Sequence, residues 1–182
     1  MRKEEHIDKA SEEIAKDYRQ AEEMIKRGKT SKAEQILDKI LAEDEKFVPA
    51  LNKLAVIQIR AGRIDEGEDL LERALSQDPD YPPALSNLGN LAKEDGELER
   101  AEKLYRQALE INPEYGPAYN NLGVIKREGG EYKDSIKFLK KAQKRGTFSL
   151  KTDSRPFYRD PGCLLPMILA GLIGIVVIIW IF

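Results

Sequence analysis

The chain is 182 residues long, with 30 Lys+Arg against 32 Asp+Glu, one His and one Cys. That length holds one domain of ordinary size with an appendage. A net charge of −2 offers no cationic excess to a phosphate backbone, which excludes a general nucleic-acid binder. A single Cys excludes a disulfide framework and a zinc site built on several thiolates, and a single His leaves little for imidazole chemistry.

The N-terminus, Met1-Arg-Lys-Glu-Glu-His, has no apolar core, so no secretory signal is expected there. Ile7, Ala10, Ile14, Tyr18, Ala21 and Met24-Ile25 form an amphipathic stripe and predict one helix running from about Glu4. His6 falls on its polar side and is expected to face water. From here the sequence repeats with a period of 34 residues. Gly28, Gly62, Gly96 and Gly130 share a column, as do Leu37, Leu71, Tyr105 and Leu139. Ala50, Ala84 and Ala118 share another, each preceded by proline (Pro49, Pro83, Pro117). Within residues 82–115, Leu85, Leu88, Gly89 and Ala92 predict one helix, ended by Gly96 in a left-handed cap. Leu98, Ala101, Leu104-Tyr105 and Ala108-Leu109 predict a second, ended before Asn112-Pro113. Such a pair cannot bury its apolar faces alone and must stack on its neighbours.

The spacing resembles that of the tetratricopeptide repeat over residues 14–147, in four units: 14–47, 48–81, 82–115 and 116–147. The third fits best, through Leu88-Gly89, Ala92, Gly96, Ala101, Tyr105, Ala108 and Pro113. The second departs at Gly67, the fourth at Ser135 and Thr147, and the first at Asp17, Gln20 and Glu45. Residues 1–13 are expected to extend the first helix as a solubilising cap. The fold class implied is all-α, a helix-pair solenoid.

The family resemblance implies a concave groove lined by the first helix of each pair, which holds an extended peptide or a partner helix. Residues beside the buried stripe are free to face it: Asn52, Lys53, Val56, Ile59 and Arg60, then Ser86, Asn87, Asn90 and Lys93, then Asn120, Asn121, Val124 and Arg127. Asparagine amides both donate to and accept from a peptide backbone, although amides are also common and merely solvated at such positions. The family's carboxylate clamp, which takes acidic C-terminal peptides, is absent: Ser86 stands four residues before Asn90, and Asn52 four before Val56, where a Lys-x-x-x-Asn pair is needed. There is no Gly-rich phosphate loop, no His-Glu-x-x-His and no Cys pair, and Glu12-Glu13 and Glu22-Glu23 read as solvated helix surface. A non-enzyme without cofactor or metal is expected.

Charge then changes sign. Residues 133–160 hold nine basic and three acidic groups, whereas residues 1–132 hold 21 and 29. After a basic linker, 148–163, the last 19 residues (164–182) carry no charge, and 13 of them are Leu, Ile, Val or Phe. As a helix they measure about 28 Å, close to a hydrocarbon core of roughly 30 Å, so a single transmembrane helix is expected. Basic residues precede the span and none follows, which predicts cytoplasmic repeats. Ala170, Gly171 and Gly174 form a small-residue face through which the span would dimerise. Cys163 sits at the expected membrane border, as an acylation site or an inert thiol.

The sequence thus predicts a tail-anchored, single-pass adaptor or scaffold that binds a protein or peptide partner. A prokaryotic inner membrane is favoured, since no basic residue follows the span. The alternative is an organelle receptor resembling mitochondrial fission or import adaptors.

Overall fold

The computed structural model describes residues 2–146, all in helices and tight turns among the described residues. The expected linker and transmembrane helix, with Cys163, Ala170, Gly171 and Gly174, lie outside them. Among the described residues no helix is long and apolar enough to cross a membrane.

Among the described residues nine helices follow one another: α1 Arg2–Lys9, α2 Glu12–Lys26, α3 Thr30–Glu43, α4 Val48–Arg60, α5 Ile64–Gln77, α6 Pro82–Glu94, α7 Leu98–Ile111, α8 Gly116–Glu128 and α9 Tyr132–Lys144. The pairs α2–α3, α4–α5, α6–α7 and α8–α9 are helical hairpins, each stacked on the next. Within a hairpin the chain reverses through Gly28, Gly62, Gly96 or Gly130, with φ of 71°, 81°, 82° and 79°. Only glycine holds that conformation without steric cost. Between hairpins the junction is also repeated. Asp44, Asp78 and Asn112 leave the helix in extended conformation, and each side-chain oxygen accepts the N–H two residues on, at 3.0, 3.1 and 3.0 Å. Pro49, Pro82-Pro83 and Pro117 then stand in the first turns of α4, α6 and α8, where a missing N–H costs nothing.

The core forms two clusters along the stack, one centred on Leu37, Leu51 and Leu71 and one on Tyr105 and Leu122. The unit-to-unit departures have local causes. A Cβ on Gly67 would fall 2.4 Å from Ile59 Cγ1, so the glycine makes room for an isoleucine that occupies the place of Lys93 and Arg127 in later units. Ser135 is buried and its hydroxyl donates to the Gly123 carbonyl at 2.7 Å. Asp17 accepts from Lys39 on α3 at 2.8 Å.

The expected continuous first helix is corrected. It breaks at Ser11, whose Oγ accepts the Ile14 N–H at 3.2 Å and caps α2 ahead of Glu12 and Glu13. The turn lets α1 leave the axis of α2 and pack on α4, with Ile7 and Ala10 against the first core cluster.

Candidate partner-binding groove

The first helices of the four hairpins are α2, α4, α6 and α8, and a cleft of about 660 Å³ opens between α2, α4 and α6, reaching Tyr115 just ahead of α8. Its walls include Asn52, Lys53, Val56, Arg60 and Asn87, five of the residues expected from the sequence. Tyr18, Ile25, Tyr81 and Tyr115 line it too and were not expected. Tyr81 and Tyr115 stand in the column of Phe47, immediately before each first helix, and that aromatic column was the signal available in the sequence. Tyr18 and Tyr81 are fully buried, so they floor the cleft and do not project into it. Burial pushes the Tyr115 hydroxyl up to about 12, against a hydrogen bond with Ser86 that pulls it down, so the phenol is neutral at physiological pH.

Four of the five asparagines expected in the groove are not free. Asn87 Nδ2 donates to Asn52 Oδ1 at 2.9 Å, joining α6 to α4. Asn121 Nδ2 donates to Asn90 Oδ1 at 2.8 Å and to Ser86 Oγ at 3.4 Å, joining α8 to α6. The Tyr105 hydroxyl donates to Asn90 Oδ1 as well, at 2.8 Å. Asn52 and Ser86 are themselves buried. These amides therefore form a ladder between successive first helices, and one partner's loss would leave the other's polar atom half buried and unmatched. Asn120 and Val124 are half-buried on α8. Ile59 leans onto Gly67 and the core, away from the role expected of it.

What remains for a ligand is a mixed surface. Val56 is half-buried and borders the cleft. Lys53 is drawn to Glu22 at 3.4 Å. Arg60, Lys93 and Arg127, all in the last turn of their helices or next to it, have no carboxylate partner among the described residues. At the other end of the groove, α1 supplies an unexpected neighbour. His6, expected in water, donates from Nε2 to Asp78 Oδ2 at 2.9 Å and meets the Tyr81 ring edge-on at 5.8 Å between centroids. Asp78 can serve both because its other oxygen holds the junction turn.

Such a face can do recognition by apolar contact and by cations. Three family models described as tetratricopeptide repeat match the chain, over residues 24–91, 82–115 and 104–137. No curated protein matches the sequence. Among solved structures, a crystal structure of MamA is 22% identical and covers 73% of this chain and 78% of its own, with a TM-score of 0.57. PilF of Pseudomonas aeruginosa is 20% identical, covering 80% and 63%, with a TM-score of 0.62. An O-GlcNAc transferase of Thermobaculum terrenum is 27% identical over 62% of this chain but only 22% of its own, with a TM-score of 0.58. These likenesses are of fold.

Proposed function

Starting from a chain that carries tetratricopeptide repeats over residues 24–137, we propose that it is a membrane-tethered, non-catalytic adaptor whose groove holds a segment of a partner protein. The observation that carries the groove reading is the cleft beside Val56, Asn87 and Tyr115, with unpaired Arg60 at its rim. Lys93 and Arg127 extend the cationic edge along the next two units. A matching segment is extended or helical, apolar at the end that meets α4 and acidic at the end that meets α8. The tether is the uncharged run 164–182, whose 13 large aliphatic and Phe residues each favour insertion by about 0.3–0.6 kcal/mol. The basic residues ahead of it support repeats that stay in the cytoplasm.

Binding is tested by capture from lysate with wild type and with Val56→Glu/Lys93→Glu/Arg127→Glu, beside Asp69→Lys on the outer surface. Loss of the same captured protein only in the groove variant is expected; equal recovery by all three chains sinks the groove reading. The asparagines are unsuitable targets, because their removal would loosen the stack itself. For the tether, the full chain should resist a carbonate wash and a chain ending at Gly162 should not.

A further inference from the structure

Among the described helices, α9 presents an outer arc unlike that of the others. Tyr132 is 67% exposed and Ile136 is 55% exposed, and beside them Lys133, Lys137, Lys140 and Lys144 face water. At 100° per residue these six positions fall within less than half a turn of the helix, with no acid among them. None of the four lysines has an ion pair among the described residues. The repeat frame supplies the apolar residue at Tyr132, whose column holds the exposed Leu98 and Ile64, but not the rest. One period and two periods earlier, the columns of Lys133, Lys137 and Lys140 hold Glu99, Lys103 and Arg106, then Asp65, Asp69 and Glu72. The column of Ile136 is more telling. In the three preceding units it is Glu34, Glu68 and Glu102, each paired to a cation further along the stack: Arg63 at 2.9 Å, Arg100 at 3.9 Å and Lys126 at 3.0 Å. In the fourth unit the glutamate is replaced by an exposed isoleucine.

We propose that this arc of α9 lies on an anionic lipid surface, with Tyr132 and Ile136 entering the headgroup boundary and the four lysines reaching the headgroups. Charge complementarity selects the occupant: a helix face that mixes an aromatic and an aliphatic side chain with unpaired lysines suits an acidic bilayer surface. Each such lysine favours the surface by about fivefold, a factor that salt screens away. The proposal takes its setting from the tether reading above, but its test separates the two.

The full chain carrying Cys163→Ser and Ile136→Cys is labelled at its single thiol with a polarity-sensitive dye. It is reconstituted with vesicles of phosphatidylcholine alone, or with phosphatidylglycerol as a third of the lipid. Blue-shifted emission is expected only with the anionic vesicles. It should be lost in half-molar salt and in the chain that also carries Lys133→Gln, Lys137→Gln, Lys140→Gln and Lys144→Gln. Emission that is the same in both lipids and indifferent to salt overturns the proposal, whether blue-shifted, meaning that protein covers the face, or not, meaning that water does. Carbonate extraction reads the tether independently. A chain extracted from both vesicles that still shows the salt-sensitive shift would retire the tether and keep the surface; a resistant chain with no such shift would do the reverse.

Discussion

The second and third hairpins use one 34-residue frame and fill it in opposite ways. In the third, the small residue is on the first helix: a Cβ on Gly89 would lie 2.6 Å from the Tyr105 ring, and the Tyr105 hydroxyl reaches Asn90. The same columns in the second hold Ala55 and Leu71, both fully buried. There the small residue is on the second helix, where Gly67 receives Ile59; the third has Ala101 and Lys93 in those columns. Volume given up on one helix is taken back on its partner, as close packing requires. The exchange also decides what each unit shows to the groove. By burying part of Ile59 the second unit forfeits a cation there, whereas the third keeps Lys93 and adds a tyrosine-bound amide.

The largest way to break that comparison is Tyr105→Ala, which empties the notch at Gly89 and strips Asn90 of a donor. A loss of about 3–5 kcal/mol is expected in urea melts. Tyr105→Phe should lose only about 1 kcal/mol, the hydroxyl's share. If the two variants cost the same, the ring's packing contributes nothing and the volume argument fails.

A sharper contrast is Gly89→Ala against Gly67→Ala. The first drives a methyl into a buried ring tethered through its hydroxyl, at about 1–3 kcal/mol. The second displaces Ile59, which is half-buried and can turn toward the groove. A gain in helix propensity of roughly 1 kcal/mol offsets much of that cost, leaving a net change near zero. Adding Ile59→Lys to Gly67→Ala restores the third unit's pairing and should raise stability above the single variant; thermal melts that show no coupling would disprove the compensation.

The smallest effect concerns the glutamate column. Burial alone would raise the Glu102 carboxyl, but hydrogen bonds from Arg106 and Lys126 outweigh it and hold the group below its ordinary 4.5. A depressed carboxylate contributes stability that is present above the unfolded value and lost as pH falls through the folded one. Glu102→Gln should therefore cost up to about 1 kcal/mol at neutral pH, and the difference should vanish in acid. Glu68→Gln, which loses only a 3.9 Å contact with Arg100, should cost less at neutral pH. Equal costs in urea melts at neutral pH would erase this distinction between the units.

The stack was legible in the sequence because its determinants are periodic. Gly28, Gly62, Gly96 and Gly130 mark the reversals, and Leu37, Leu71 and Tyr105 recur at the same 34-residue period. The site was less legible, for reasons of reach. Periodicity says which side of a helix Asn87 occupies, but not that Asn52, 35 residues away, takes its amide. Likewise, Ser11 followed by two glutamates is a helix-start signature within an apolar stripe, and the stripe hid it. Once α1 turns there, His6 meets Asp78, a contact 72 residues apart that no local pattern encodes.

The stack is held along two rails of different chemistry. The first helices α4, α6 and α8 are joined by neutral side chains: Asn87 to Asn52, and Asn121 to Asn90 and Ser86. The second helices reach onward through ion pairs, Glu34 to Arg63, Glu68 to Arg100 and Glu102 to Lys126. Salt weakens the attraction between exposed charges, with a screening length of about 10 Å at 0.1 M that shortens as salt rises, but leaves amide hydrogen bonds alone. Raising the salt therefore weakens the charged contacts, Glu22 to Lys53 between α2 and α4 among them, while the amide contacts that join α4, α6 and α8 persist.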